Sequence, residues 1–167
     1  MLVNDVLSDA FARIQEEVHV VVEDLDSKGL AFRPSDDANS IGWLVWHLAR
    51  VQDDHISELA NVEQVWVKGG WAETFALPYD KSATGYGHTS EEVAQLEVIP
   101  EQLLGYYDTV HTHTLDFIQK LRDDDYERPV DDSYDPPVTL ATRLVSVLSD
   151  DLQHIGQAAF VRGLLGK

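Results

Sequence analysis

A chain of 167 residues is long enough to bury one full core. Its 30 acidic side chains outnumber 12 basic ones, for a net charge of −18, so nucleic-acid phosphate and anionic membrane surfaces are repelled and neither is an expected partner. There is no cysteine, which excludes disulfides, thiolate metal ligands and a cysteine nucleophile, so any thiol chemistry needs a thiol from outside.

At the N-terminus, Met1–Asp5 shows no basic stretch leading into an apolar run, so no secretory leader is expected. Apolar stretches fall well short of the roughly 18 residues that span a bilayer, and the expected location is cytoplasmic. The first helix is predicted from about Asn4 to Lys28. Val6, Leu7, Phe11, Ile14, Val18, Val21, Val22 and Leu25 follow three-four spacing, and Gly29 offers a stop. The second is predicted from Asn39, a good N-cap, to about Asn61, with Ile41, Leu44, Leu48 and Val51 on its inner stripe.

Residues 62–89 break the period with Gly69–Gly70–Trp71, Leu77–Pro78 and Thr84–Gly85–Tyr86–Gly87. A connection this long is usually functional or disordered, and Trp66 and Trp71 argue for order. Thr89 and Glu92 have capping-box spacing, so a short helix opens there. The third long helix is predicted from Pro100 to about Arg122 and the fourth from Thr139 to about Leu164, with an acidic, turn-rich connector between them. Strand signals are weak, and neither repeats nor an internal boundary interrupts residues 1–167. Four long helices around one core imply an all-α helical bundle as a single domain.

His47 lies three residues after Leu44 and four before Val51, which turns it inward. His154 lies four before Ala158 and seven after Val147, which turns it inward too. Asp150 and Asp151 precede His154 by four and three residues, and either carboxylate could share its face. Two buried neutral histidines with hydrogen-bond partners would be the plain explanation. A carboxylate beside them changes the weighing, because burying it costs several kcal/mol unless a cation or donors compensate. Two imidazoles and a carboxylate suit zinc, nickel or iron(II) and leave coordination positions open. His111 and His113, two apart, are expected to be solvated, and His19 shows no acidic partner in its own helix. His55 is rotated off the line of His47, and His88 sits in a loop. Asp54 lies closer to that line, as an extra ligand, a supporting acid or simply a surface acid.

The runs Asn39–Asp53, Thr84–His88, Asp135–Thr139 and Gln153–Ala159 make the chain resemble the DinB/YfiT-like superfamily of metal-binding four-helix bundles. Within it, the chain most resembles the actinobacterial branch that includes mycothiol-dependent enzymes, and looks like the mycothiol S-transferases there. The resemblance implies an up-down-down-up four-helix bundle with a long irregular crossover, here residues 62–99. It implies His47, Asp150 and His154 as metal ligands, with Asp151 as the fallback, because relatives often carry histidine or glutamate where Asp150 stands. The implied cofactors are a divalent metal, zinc first, and mycothiol as the thiol co-substrate for an electrophile in detoxification. Arg50, Arg143 and Gln157 would then lie near the mouth of the site and bind substrate, against the plain alternative of surface roles. Asp54 and Asp151 would stand behind the ligands. The alternatives are a thiol-dependent isomerase, a metal hydrolase, or a non-catalytic stress-related binding protein. A homodimer could form through an exposed face of the second or third helix.

Overall fold

The computed structural model describes residues 2–166; Met1 and Lys167, the ends of the predicted domain, lie outside them. Helix α1 spans Val3–Val22, α2 Ser27–Leu30, α3 Ile41–Ala60, α4 Val65–Lys68, α5 Trp71–Phe75, α6 Ser90–Ala94, α7 Pro100–Ile118 and α8 Leu140–Leu165. A two-stranded antiparallel ribbon, β1 (Pro129–Asp131) and β2 (Val138–Thr139), precedes α8.

The long helices α1, α3, α7 and α8 form the bundle. α3 packs against α7 and α8, and α1 packs against the same two. Hydrogen bonds fix the directions. Arg50 meets Tyr106 and Gln52 meets Thr114, so α3 and α7 run parallel. Gln15 meets Asp108 while Asn4 reaches the Ile118 carbonyl, so α1 and α7 run antiparallel. Arg162 near the end of α8 holds the carbonyls of Val20 and Val21 at the end of α1, which makes these two parallel. The order is up-down-down-up. Phe11, Ile14, Val18, Leu44, Leu48, Tyr107, Val110, Leu144 and Ala158 fill the interior.

The first predicted helix ends early. Asp24 adopts a left-handed φ of 60°, and the Asp26 side chain accepts from Gly29 N to cap a separate short helix. That local cap outcompetes continuation, and Gly29 lies inside α2 rather than acting as a stop. Ser40, not Asn39, caps α3 by accepting from Trp43 N. Every residue from Ile41 to Arg50 is buried, not one stripe alone. The crossover carries α4, packed against α3 and α7, then α5, packed against α4 and α7, and then α6, so the predicted irregular segment is partly helical. Thr89 and Glu92 form the expected capping box. No helix among the described residues is long and apolar enough to cross a membrane.

Candidate metal centre

α3 and α8 face each other across the bundle, and each brings donors to one place. His47 projects from α3 with 5% exposure. Its Nδ1 lies 2.5 Å from the Thr84 carbonyl. A carbonyl only accepts, so Nδ1 carries the proton and Nε2 keeps its lone pair free. Trp43, one turn earlier, stacks on the ring at 4.6 Å, and its Nε1 donates to His88 Nδ1 at 3.2 Å. Thr84 can come this close because Gly85 follows it. At φ 94°, a Cβ on Gly85 would stand 2.8 Å from His47 Nδ1.

From α8, Asp150 and His154 share a face. His154 Nε2 lies 3.6 Å from Asp150 Oδ1. On its other side, His154 Nδ1 meets Gln157 Oε1 at 2.9 Å. The His47 and His154 rings stand edge to face, with centroids 4.7 Å apart. One donor atom from each of His47, Asp150 and His154 lies within 4.8 Å of the others.

Burial of His47 pushes its pKa down, against the Thr84 hydrogen bond, which pushes it up. That keeps the imidazole neutral, as a ligand requires. Contact with Asp150 pulls the His154 pKa up, although burial opposes it. Burial pushes Asp150 up, but His154, His47 and His55 outweigh it and hold the carboxyl below its ordinary value. Asp150 Oδ2 is a buried, negatively charged oxygen with no hydrogen-bond partner. An unpaired oxygen beside two imidazoles with oriented second nitrogens fits a divalent cation. Zinc ligands stand about 2.0–2.2 Å from the ion, so small side-chain rotations bring these donors into range. Outer hydrogen bonds of this kind are how ligating histidines are held.

The other predicted residues sit elsewhere. Arg50 is fully buried, not at a mouth: it is held by Gln64 Oε1, Tyr106 Oη, Asp53 and the Ala83 carbonyl. Arg143 is half-buried and paired with Asp131 at 2.9 Å. Asp54 accepts from Gln64 Nε2 and supports the crossover instead of the donor triad. Asp151, the fallback ligand, is fully buried, and burial together with the Asp150 charge raises its pKa well above the usual carboxylate range. The 100° helical step that aims Asp150 at His47 turns Asp151 into the bundle, fully buried like Tyr107, whose pKa burial, and then the nearby Asp151 carboxyl, push up. Of the expected substrate contacts, Gln157 alone touches the triad.

One histidine expectation changes, and two others gain partners that the sequence did not show. His111 is buried, not solvated. His19 pairs with Asp108, a partner from α7 that its own helix could not reveal. His88 packs between Trp46 and Tyr79. The sequence reading missed Thr84 as the group that orients His47; the glycines flanking Tyr86 marked a close approach without saying to what. It also missed Asp53, which accepts from Val65 N, Trp66 N, Ser57 Oγ and Tyr106 Oη.

Fold and donor set together define a four-helix bundle with a candidate metal centre between its second and fourth long helices. Residues 10–158 match the DinB superfamily, and the chain belongs to that superfamily. Among solved structures, a conserved protein from Enterococcus faecalis is 30% identical, with a TM-score of 0.93 over 100% of this chain and 99% of that one. No curated protein matches the chain.

Proposed function

We propose that the protein is a metal-dependent thiol transferase that joins a low-molecular-weight thiol, mycothiol by family resemblance, to electrophiles for detoxification. The observation that carries this reading is the His47–Asp150–His154 donor set, with its unpartnered Asp150 oxygen, in a chain without cysteine. His47 and His154 would hold a divalent ion through Nε2 and Asp150 through a carboxylate oxygen. Such an ion, zinc in the first instance, supplies the positive charge that lets a thiol lose its proton near neutral pH. Three protein donors leave room for a further ligand.

The residues of the chain do the rest. Thr84 and Gln157 fix the two rings. Trp43, itself buried and stacked on the His47 ring, keeps water from that face. The reaction forms a sulfur–carbon bond, the leaving group departs with its electron pair, and the thiol proton passes to solvent.

The test is metal content by mass spectrometry, with conjugation of a model electrophile in the presence of mycothiol. Wild-type protein is expected to carry about one divalent ion and to form the thioether. His47→Ala is expected to lose both while keeping its helical circular dichroism. A wild-type protein without bound metal, or a variant that conjugates equally well, would overturn the reading. Turnover without any thiol would assign a hydrolase instead, and isomerised product with the thiol recovered would assign an isomerase.

A further inference from the structure

Beside the donor triad, on the Nδ1 side of His154, α8 and the segment leading into α3 enclose an open groove of about 710 Å³. Its floor is apolar, from Leu44, and Phe160 forms a wall at 68% exposure. Its polar groups are the neutral carboxamides of Asn39, Gln153 and Gln157. Among the described residues lining it, Asp37 is the only charged one, and no cationic side chain takes part.

Gln157 links groove and triad. Its Oε1 is committed to His154 Nδ1, which leaves its amide NH₂ with two donors for whatever enters the groove. Gln153 spends its NH₂ on Ser149, which leaves its Oε1 as an acceptor. Gly156 lies between them in sequence, and a Cβ placed there would meet nothing within 4 Å. The missing side chain leaves the groove open.

We infer that this groove is the subsite for the uncharged, hydroxyl- and amide-bearing body of the thiol co-substrate. Carboxamides exchange hydrogen bonds with hydroxyls and amides in both directions, and the apolar floor takes the face of a ring. A carboxylate or phosphate on the ligand body would find no cationic side chain among the described lining residues, would meet Asp37, and would approach a protein of net charge −18. The subsite therefore selects against anionic thiols. The inference rests on the transferase reading for the identity of the ligand as a thiol, and on the groove alone for its class.

The experiment titrates full-length protein with N-acetylglucosamine and, separately, with glucuronate of similar size. The side-chain NH₂ resonances of Asn39 and Gln157 are followed by NMR. N-acetylglucosamine is expected to shift both peaks saturably, and glucuronate to bind at least tenfold more weakly. Gly156→Leu fills the groove at a helix-interior position that favours the larger residue. That variant is expected to melt no lower than wild type and to bind the neutral sugar at least tenfold more weakly. No saturable shift, equal binding of glucuronate, or full binding by Gly156→Leu overturns the subsite. A protein that takes the sugar but holds no metal would overturn the transferase reading and keep the subsite. A metal-loaded, active enzyme indifferent to Gly156→Leu would overturn the subsite alone.

Discussion

Each ring of the candidate centre is fixed by one partner. His47 depends on a backbone carbonyl delivered by the crossover, and His154 on a side chain one turn along its own helix. Loss of an outer hydrogen bond to a ligating histidine typically weakens metal binding by about 10–100-fold. Gln157→Leu is therefore expected to lower zinc affinity about tenfold, and Asp54→Asn to leave it unchanged, as read by competition with a chromophoric chelator. Protons compete for the same atoms. Contact with Asp150 raises the His154 pKa, so the metal-free site is held as an imidazolium–carboxylate pair below that value. This pairing stabilises the metal-free fold at low pH and is lost as pH rises through the folded-state pKa. A metal must displace that proton, so affinity is expected to rise with pH across the neutral range. Calorimetry in buffers of different ionisation enthalpy should show a proton released on binding. Affinity flat with pH would remove His154 from the ligand set.

The elements are held in register by one buried knot. Asp53, fully buried on α3, accepts from the first backbone amides of α4 and from Tyr106 on α7, and lies 3.5 Å from Arg50. Arg50 in turn donates to the Ala83 carbonyl, next to the residue that holds His47. The pair thus tensions the crossover over the metal centre. Removing one partner of a buried ion pair costs about 3–5 kcal/mol, because the other is left unpaired. Asp53→Ala is expected to destabilise by about that amount in urea unfolding. Gly85→Ala acts more locally. Its Cβ would press on His47 and its φ is left-handed, so metal affinity should fall more than stability does. Equal loss of stability and affinity would mean that the loop serves the fold and not the ligand.

For the whole molecule, the balance of charge inside the bundle sets the pH response. Asp151 is fully buried and both of its oxygens lack partners, as does the Tyr107 hydroxyl. Burial, and then the Asp150 charge, keeps the Asp151 carboxyl protonated to higher pH than in the unfolded chain. The native state then binds more protons than the unfolded state once pH exceeds the ordinary value of 3.8. Stability must therefore fall as pH rises from there until the folded-state pKa is passed. Asp151→Asn cannot ionise and removes that slope. Melting curves of metal-free protein from pH 4 to pH 7 should show wild type losing more than the variant, and parallel loss would place Asp151 in contact with solvent or a cation.

Periodicity alone located the four long helices, because an amphipathic stripe is written in consecutive residues. The i, i+4 spacing of Asp150 and His154, and the inward register of His47, are legible for the same reason. So is the missing thiol, which is a matter of composition. Even the full burial of α3 had a trace, since Trp43, Val45, Trp46 and Ala49 make its start apolar all round. The choice of Asp150 over Asp151 was not legible from spacing, because three and four residues both return to one helix face, and only the packing angle of α8 against α3 separates them. Arg50 could not be assigned either. A guanidinium joins a core or a surface according to whether Asp53, Gln64 and Tyr106 converge on it, and those residues are distant in the chain. Thr84 presents a backbone atom, which no side chain in the sequence announces. Local periodicity determined which helices form and which donors they carry. Long-range packing of α8 and the crossover onto α3 decided which donors meet, because the approach of groups far apart in the chain is fixed only when the whole core closes around them.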